Sequence, residues 1–565
     1  MKLFIVITVT LCIGCRAPRC IAQNRYPTVP RVLAMQAQPS PFHIRNWRSV
    51  TVAYLQTIFN SHLKGDLLPA VRWPVAGSDA PFLPSYLGGD GTEAINYIAA
   101  VVSGRLVGLH MSHFEGHNLV KFAQVFLNDK AGVFANNPHS EVPGSFWYEL
   151  LPNVLAFQMY ALRPPTKDSL VVERRIADQW VRVCQILSAG GTHMPNFNYT
   201  GFEFNTMSPD YNGKWREPDG AAGVAWLEYM AWRQFHDAKY LHCAVQCIEF
   251  LEHRVQVDDP LYETLLPYGV LVATRLNAET GCHFDIQKLV NWCFSPGGKQ
   301  AARIGWGVLS ERAGRLSLSG LVGSATDSGG YAFAMNTFEW AGALTPMVRY
   351  DTRYAAIIGK WMLNLVNNAR LFYSNSLPAA NQDCSRWCFR YDRSAVLPYE
   401  GVRLHPAGNE GGPSPFATGD AVGSGGRSNI CLYGGSHVGI LGVLVHRTTV
   451  DEVLRLNLLG TDYLCGRAYP TSLFYNPYSK STSILLTVVH GPQSFYDCVE
   501  HRFIALRVKG KVRVRLLPRQ AIVLVRVPSF ARHEVVNNRL LVNSIVIDWN
   551  IKGSKALPST RKSLE

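Results

Sequence analysis

Acidic residues stand in front of three glycine- and alanine-rich segments of this chain. Trp215-Arg216-Glu217-Pro218-Asp219 precedes Gly220-Ala221-Ala222-Gly223, and Asp327 precedes Gly329-Gly330-Tyr331. Asp420 lies in a glycine-rich loop before Gly434-Gly435-Ser436-His437, with Pro398-Tyr399-Glu400-Gly401 a little upstream. Carboxyl groups converging on one place suit acid–base cleavage of an acetal. One acid protonates the leaving oxygen while a second carboxylate activates water or attacks carbon, and separations of roughly 5 to 9 Å distinguish the two stereochemical outcomes. Helix capping competes for the same residues, because Asp accepts from the orphan amides of a helix start and favours its dipole. Capping is sufficient for Asp219 or Asp327 taken alone. Glu217 asks for more, since Pro218 and Asp219 already begin the helix.

A second cluster, His110-Met111-Ser112-His113-Phe114-Glu115-Gly116-His117, would place His110, His113 and His117 on one helical face. Gly116 interrupts that helix and the HExxH pattern is missing, so the expectation is no metal, with His113 or His117 lining a cleft. Gly434-Gly435-Ser436-His437-Val438 lacks the closing glycine of a nucleophile elbow. The chain has no GxGxxG after a strand and no phosphate-binding loop, and no cofactor is expected.

Composition narrows the class. Hydrophobic residues make up 47% and charged residues 17% of the 565, too apolar for a disordered chain and enough for large cores. The formal charge of +14 favours anionic partners. Basic residues are not interleaved with aromatics in a stripe and show no zinc-finger or recognition-helix spacing, which argues against nucleic acid. Residues 1–22 read as an export signal, with a charged start and a short apolar run. Cleavage after Ala22 is the expected processing, and a lipoprotein anchored through Cys15 is the less favoured alternative. Later apolar runs are too short to span a membrane. Three of the 13 cysteines fall in the leader; Cys243 and Cys247 sit one turn apart on an apolar face and read as buried thiols. A disulfide involving Cys384 and Cys388 remains open.

Positioning these residues requires helices. After an extended linker over 23–46, apolar residues recur at spacings of three and four through about a dozen segments. Two kinds alternate. Segments 169–187, 237–254, 352–371 and 451–464 are amphipathic and charged, the last opening on a capping box at Thr449-Val450-Asp451-Glu452. Segments beginning at Gly220, Gly329 and Gly435 are small, apolar all round and nearly uncharged. An apolar helix is buried and an amphipathic one half-exposed, so the alternation predicts an inner ring inside an outer one. From about Ser483 the period becomes two, as in Val512-Arg513-Val514-Arg515-Leu516. The predicted organisation is a helical domain over 47–475, a small antiparallel β-domain over 476–551 and a loose tail over 552–565.

Together the segments WREPDGAAG (215–223), TDSGGYAF (326–333), LPYEG (397–401) and YGGSHVGILG (433–442) resemble those of the (α/α)6-toroid carbohydrate-active enzymes. The likeness is to the glycoside hydrolases of that class, including those acting on glucuronides and unsaturated uronides. It implies an (α/α)6 toroid followed by a small antiparallel β-domain, and exo-acting hydrolysis of an anionic oligosaccharide or polysaccharide. In that reading Glu217 or Asp327 is the general acid and Glu400 its partner, while Asp219 and Asp420 position the sugar. Arg216, Arg403 and His437 hold its charge, and Trp215, Tyr331 and Tyr399 stack on it. A toroid polysaccharide lyase is the alternative, recruiting Asn137, His139, Tyr148 and His193, although such lyases carry a larger β-region. A non-catalytic glycan-binding protein is the third reading.

Overall fold

A β-carbon placed on Gly439 would lie 2.4 Å from the Cα of Ser103, and one on Gly435 would lie 2.4 Å from the Tyr54 ring. These contacts close a circuit of helices. The computed structural model describes residues 27–73, 81–137, 144–189, 194–254, 263–295, 305–313, 316–324 and 330–551. The longer helices are α1 (Trp47–Ile58), α2 (Ala94–Leu106), α3 (Phe146–Ala161), α4 (Lys167–Leu187), α5 (Gly220–Phe235), α6 (Ala238–His253), α7 (Leu265–Thr280), α8 (Ile286–Phe294), α9 (Ala334–Leu344) and α10 (Ala355–Asn368). Two short ones follow, α11 (Leu432–Ser436) and α12 (Gly439–Leu444). Helix α2 packs on α3, α3 on α5, α5 on α7 and α7 on α9; α9 meets α11 and α12, which return to α2.

Burial separates the two helix chemistries as their sequences require. Every residue of α9 is buried, as is all of α2 except Arg105. By contrast, α4 buries only eight of its 21 residues, along one stripe. The capping box of α4 comes from Thr166 and Ser169, whose side chains satisfy each other's backbone amides. Helices α4, α6 and α8 lie outside, against α5 and α7.

Several expectations change. Segment 451–464 is not a helix: Glu452 takes φ 62°, and Leu454–Asn457 forms a strand with Leu454 and Leu456 buried and Arg455 exposed. That short alternation of period two outweighs the capping signal. Tyr331–Phe333 is also a strand, and the buried helix begins only at Ala334. The stretch predicted as a linker is strapped to the ring over residues 27–46. Val29, Val32 and Met35 are buried, Arg31 bonds Ser310 at 2.6 Å, and the Asn367 side chain accepts from the His43 amide at 2.8 Å. The signal segment and the tail lie outside the described residues.

Two sheets complete the fold. The first, inserted at the N-terminal end of α9, is the antiparallel meander β1 (Trp306–Val308), β2 (Val322–Ser324), β3 (Tyr331–Phe333), β4 (Gly401–Arg403) and β5 (Phe416–Thr418). The second contains β6 (Val445–Arg447), β7 (Leu454–Asn457), β8 (Thr471–Tyr475), β9 (Thr482–Asp497), β10 (Arg502–Leu516) and β11 (Ala521–Pro528), in the order β6-β7-β8-β11-β9-β10. It therefore begins about thirty residues before the predicted boundary. A three-stranded sheet over 533–548 follows. The second sheet packs through β8 and β11 on α10, so one hydrophobic core runs through ring and sheet. Lys509, Lys511, Arg513 and Arg515 line its edge strand β10, where charge discourages further pairing.

The ring is filled rather than hollow. Gln158, Trp226, Tyr268, Gly342, Ile440, Thr461 and Tyr463 line a cavity of about 10 Å³, room for one water. Its far end is plugged by residues 461–464. The hydroxyl of Thr461 donates to Gly342 O at 2.7 Å, buried Arg275 reaches Tyr463 O at 2.9 Å, and Asp462 is paired with Arg275 and Arg349. Among the described residues, this leaves the end carrying the N-termini of the inner helices as the candidate entrance for a substrate.

Burial of Glu173 on α4 pushes its carboxyl up to about 7, from 4.5. The folded state then binds this proton more tightly than the unfolded chain does. The corresponding stability is fully present below about pH 4.5 and is lost as pH rises to about 7, a change of about 3 kcal/mol. Glu173→Gln should flatten that part of the stability–pH profile in denaturant melts. Parallel wild-type and variant profiles would contradict this.

Candidate active site

Glu400 sits just before β4, and its carbonyl accepts from the amide of Ala334, the first residue of α9, at 2.8 Å. The side chain is buried, 3% exposed, and surrounded by donors. Tyr86 and Tyr433 (2.5 Å) donate to Oε1; Tyr331 (2.8 Å) and the Asp420 amide (2.7 Å) donate to Oε2. Register explains part of this. Arg403 of β4 stands opposite Tyr331 of β3, and its guanidinium lies 3.6 Å from the centre of the Tyr331 ring. Gly401 is required between them, because a β-carbon there would lie 2.1 Å from Ala332 O and 2.5 Å from the Tyr331 ring.

Arg403 also pairs with Asp420 at 3.1 Å, while the Asp420 side chain remains 59% exposed. Asn429 holds the intervening loop, accepting from the Val422 amide at 3.0 Å and donating to Asp383 at 2.6 Å. Burial is the largest influence on Glu400 and raises its pKa; the Asp420 charge adds to the rise, and the three tyrosine hydrogen bonds oppose it. Burial and then Glu400 push the phenols of Tyr86, Tyr331 and Tyr433 up as well. The result is a shielded carboxyl whose pKa is raised, beside an exposed one. Environments that separate two acids in this way suit an acid and its partner.

Glu217 occupies the same end of the ring, before α5. Its carboxylate accepts from Ser145 Oγ at 2.9 and 3.1 Å, the Trp147 amide at 3.1 Å and Trp215 Nε1 at 3.4 Å. It thereby ties the start of α3 to the start of α5. Beneath it, fully buried Glu149 accepts from the Phe202 amide at 3.0 Å, and burial, with Glu217 adding, raises its pKa. Asp219 is buried at the start of α5, and Arg216 lies 5.0 Å from the Tyr211 ring.

Other residues from the sequence reading lie elsewhere. Tyr399 is buried on the opposite side of the strand from Glu400, with its hydroxyl accepting from the Cys384 amide at 3.1 Å. His437 is sealed inside the ring: Nδ1 bonds Glu339 and Nε2 lies 3.0 Å from Ile95 O, leaving neither nitrogen for a sugar. His113 lies in a turn beyond the C-terminus of α2, beside Ser112, which accepts from Arg163 at 2.8 Å. That is the other end of the ring, and the turn also separates His110 from a shared helical face. Tyr331 supports Arg403 and Glu400 instead of presenting a stacking face. Cys384 and Cys388 are free thiols. Asp327, His139 and His193 lie outside the described residues. Sequence reasoning missed Tyr86 and Tyr433; only Tyr433 carried a signal, through its place in the YGGSHVGILG segment.

No protein-family model matches the chain, and no curated protein sequence matches it. Among solved structures it is similar to a GH127 β-L-arabinofuranosidase from Geobacillus stearothermophilus T6, at 11% identity over 89% of this chain and 85% of that one, with a TM-score of 0.36. It is also similar to a glycoside hydrolase family 76 (mannosidase) protein from Bacteroides thetaiotaomicron, at 12% identity over 71% and 99% of the two chains, with a TM-score of 0.39. An α-L-rhamnosidase from Dictyoglomus thermophilum gives 9% identity over 87% and 50%, with a TM-score of 0.32. At these scores the likeness assigns neither residues nor substrate.

Hydrogen bonds to charged groups contribute about 1.5–3 kcal/mol. Ser145→Ala should lower stability by about that amount in calorimetric unfolding. An unchanged midpoint would remove Glu217 as a brace between α3 and α5.

Proposed function

We propose that this chain is a glycoside hydrolase acting at the open end of an (α/α)6 helix ring, with Glu400 as general acid and Asp420 as its partner carboxylate. The observation that carries this reading is the pairing itself. Glu400 is buried among three tyrosine hydroxyls, and its Oε2 takes the backbone amide of Asp420, whose own carboxylate is exposed and held by Arg403. Burial raises the Glu400 pKa, and in this reading its carboxyl delivers a proton to the glycosidic oxygen as that bond breaks. Asp420 then directs water to, or itself attacks, the sugar carbon.

Glu217 is a positioning residue in this scheme, fixing the opposite wall of the same end. The net charge of +14 favours an anionic, uronate-bearing glycan, with Arg403 at the proposed site. The export signal expected over residues 1–22 would make it an exported enzyme. No helix of the described residues is long and apolar enough to cross a membrane. A lyase mechanism in which Tyr86 abstracts the proton fits poorly, because burial and Glu400 raise the phenol's pKa and leave little of the phenolate that would act as the base.

Incubation with neutral and uronate-containing oligosaccharides should release reducing sugar without the ultraviolet band of an unsaturated uronate. Glu400→Gln and Asp420→Asn should each lower kcat by about 100-fold or more while the thermal midpoint stays near that of the parent. The unsaturated band would establish a lyase. Binding without turnover across the panel, or full activity in both variants, would overturn the proposal.

A further inference from the structure

Away from the carboxyl pair, the contact between α4, α5 and α6 contains a group of side chains that hydrophobic packing does not explain. Cys184 of α4 meets Cys243 and Cys247, one turn apart on α6, and all three sulfurs lie within 4.8 Å of one another. The sulfurs of Cys184 and Cys247 are 3.7 Å apart. A disulfide requires about 2.05 Å. Thiolates around one tetrahedral zinc, each about 2.3 Å from the metal, stand about 3.8 Å apart by geometry.

A second observation is independent of the sulfurs. Glu228 of α5, the helix packed against both α4 and α6, is completely buried, and neither of its carboxyl oxygens has a hydrogen-bond partner among the described residues. An unsatisfied buried carboxyl is costly and calls for a partner. Its carboxyl oxygens stand outside the group in which the three sulfurs lie within 4.8 Å of one another, on the helix that packs against both cysteine-bearing helices. The three sulfurs supply three of the four donors of a structural zinc site, and the Glu228 carboxylate would complete it by turning toward them.

We propose that Cys184, Cys243, Cys247 and Glu228 bind one zinc ion, which fastens the outer helices α4 and α6 to the inner helix α5. On loading, each thiol gives up its proton to solvent and its sulfur donates a lone pair. Glu228 binds as the carboxylate, so uptake releases protons and weakens at low pH. The site lies about two turns, roughly 12 Å along α5, from the helix start that carries Asp219, and its role is structural. It stands apart from the glycosidase reading.

The full-length chain, purified without chelator, should contain one zinc by elemental analysis. Mercurial titration should release it as three thiols react. Cobalt substitution should give thiolate-to-metal charge-transfer bands and the intense visible bands of a tetrahedral ion. Cys243→Ser should abolish the charge-transfer signal, and Glu228→Gln should retain it while shifting the visible bands. If the serine variant does not fold, the wild-type cobalt spectrum and the thiol-to-zinc ratio still decide the matter. Absence of stoichiometric zinc after growth and refolding in zinc, or a mass lighter by two hydrogens from a disulfide within the trio, would overturn the site.

Discussion

A chain of buried hydrogen bonds crosses the axis of the helix ring, and the rest of the structure is arranged around it. His437, at the junction of α11 and α12, bonds Ile95 O of α2 and Glu339 of α9; Glu339 also receives Tyr268 of α7, whose hydroxyl accepts from Gln158 of α3 at 3.0 Å. Five of the inner segments are joined through side chains with almost no exposure. In a low-dielectric interior such a network is strong when complete and costly when broken, so it selects one rotational setting for each helix. Apolar packing alone would tolerate many. Glycine at 435 and 439 lets α11 and α12 come close enough to complete it.

That setting determines where chemistry can occur. With the far end closed among the described residues by Asp462 between Arg275 and Arg349, the opposite face of the ring is the candidate site. The five-stranded sheet rises from this face, and its β3–β4 register brings Tyr331, Glu400 and Arg403 together. Tyr433 reaches Glu400 from the first turn of α11, so the helix that closes the ring also helps to bury the carboxyl. Glu217 braces the opposite wall by linking the starts of α3 and α5.

Much of this was legible in the chain. The alternation of charged and small-residue segments follows from which helices are surrounded and which face water, and Glu217 and Asp219 do precede the buried helix α5. Glu400, Asp420, Arg403 and Tyr331 could be named because they lie close to glycines that a tight backbone contact demands. Tyr86 could not: it reaches Glu400 across 314 residues, and no local pattern carries that information. Polar type misled at His437, which builds the core, and at Tyr399, which strand alternation turns away from its neighbour. The 451–464 segment failed because a capping box is a local signal, whereas Leu454 and Leu456 answer to a sheet whose other strands lie further along the chain.

The central claim is that Glu400 delivers a proton to the departing oxygen, and leaving-group dependence tests it most directly. Glu400→Gln should lose most of its kcat on a glycoside with an alkyl alcohol leaving group. On a dinitrophenyl glycoside, whose leaving group departs without protonation, it should stay within about tenfold of wild type. Equal losses on both substrates would contradict the account and leave Glu400 as part of the scaffold.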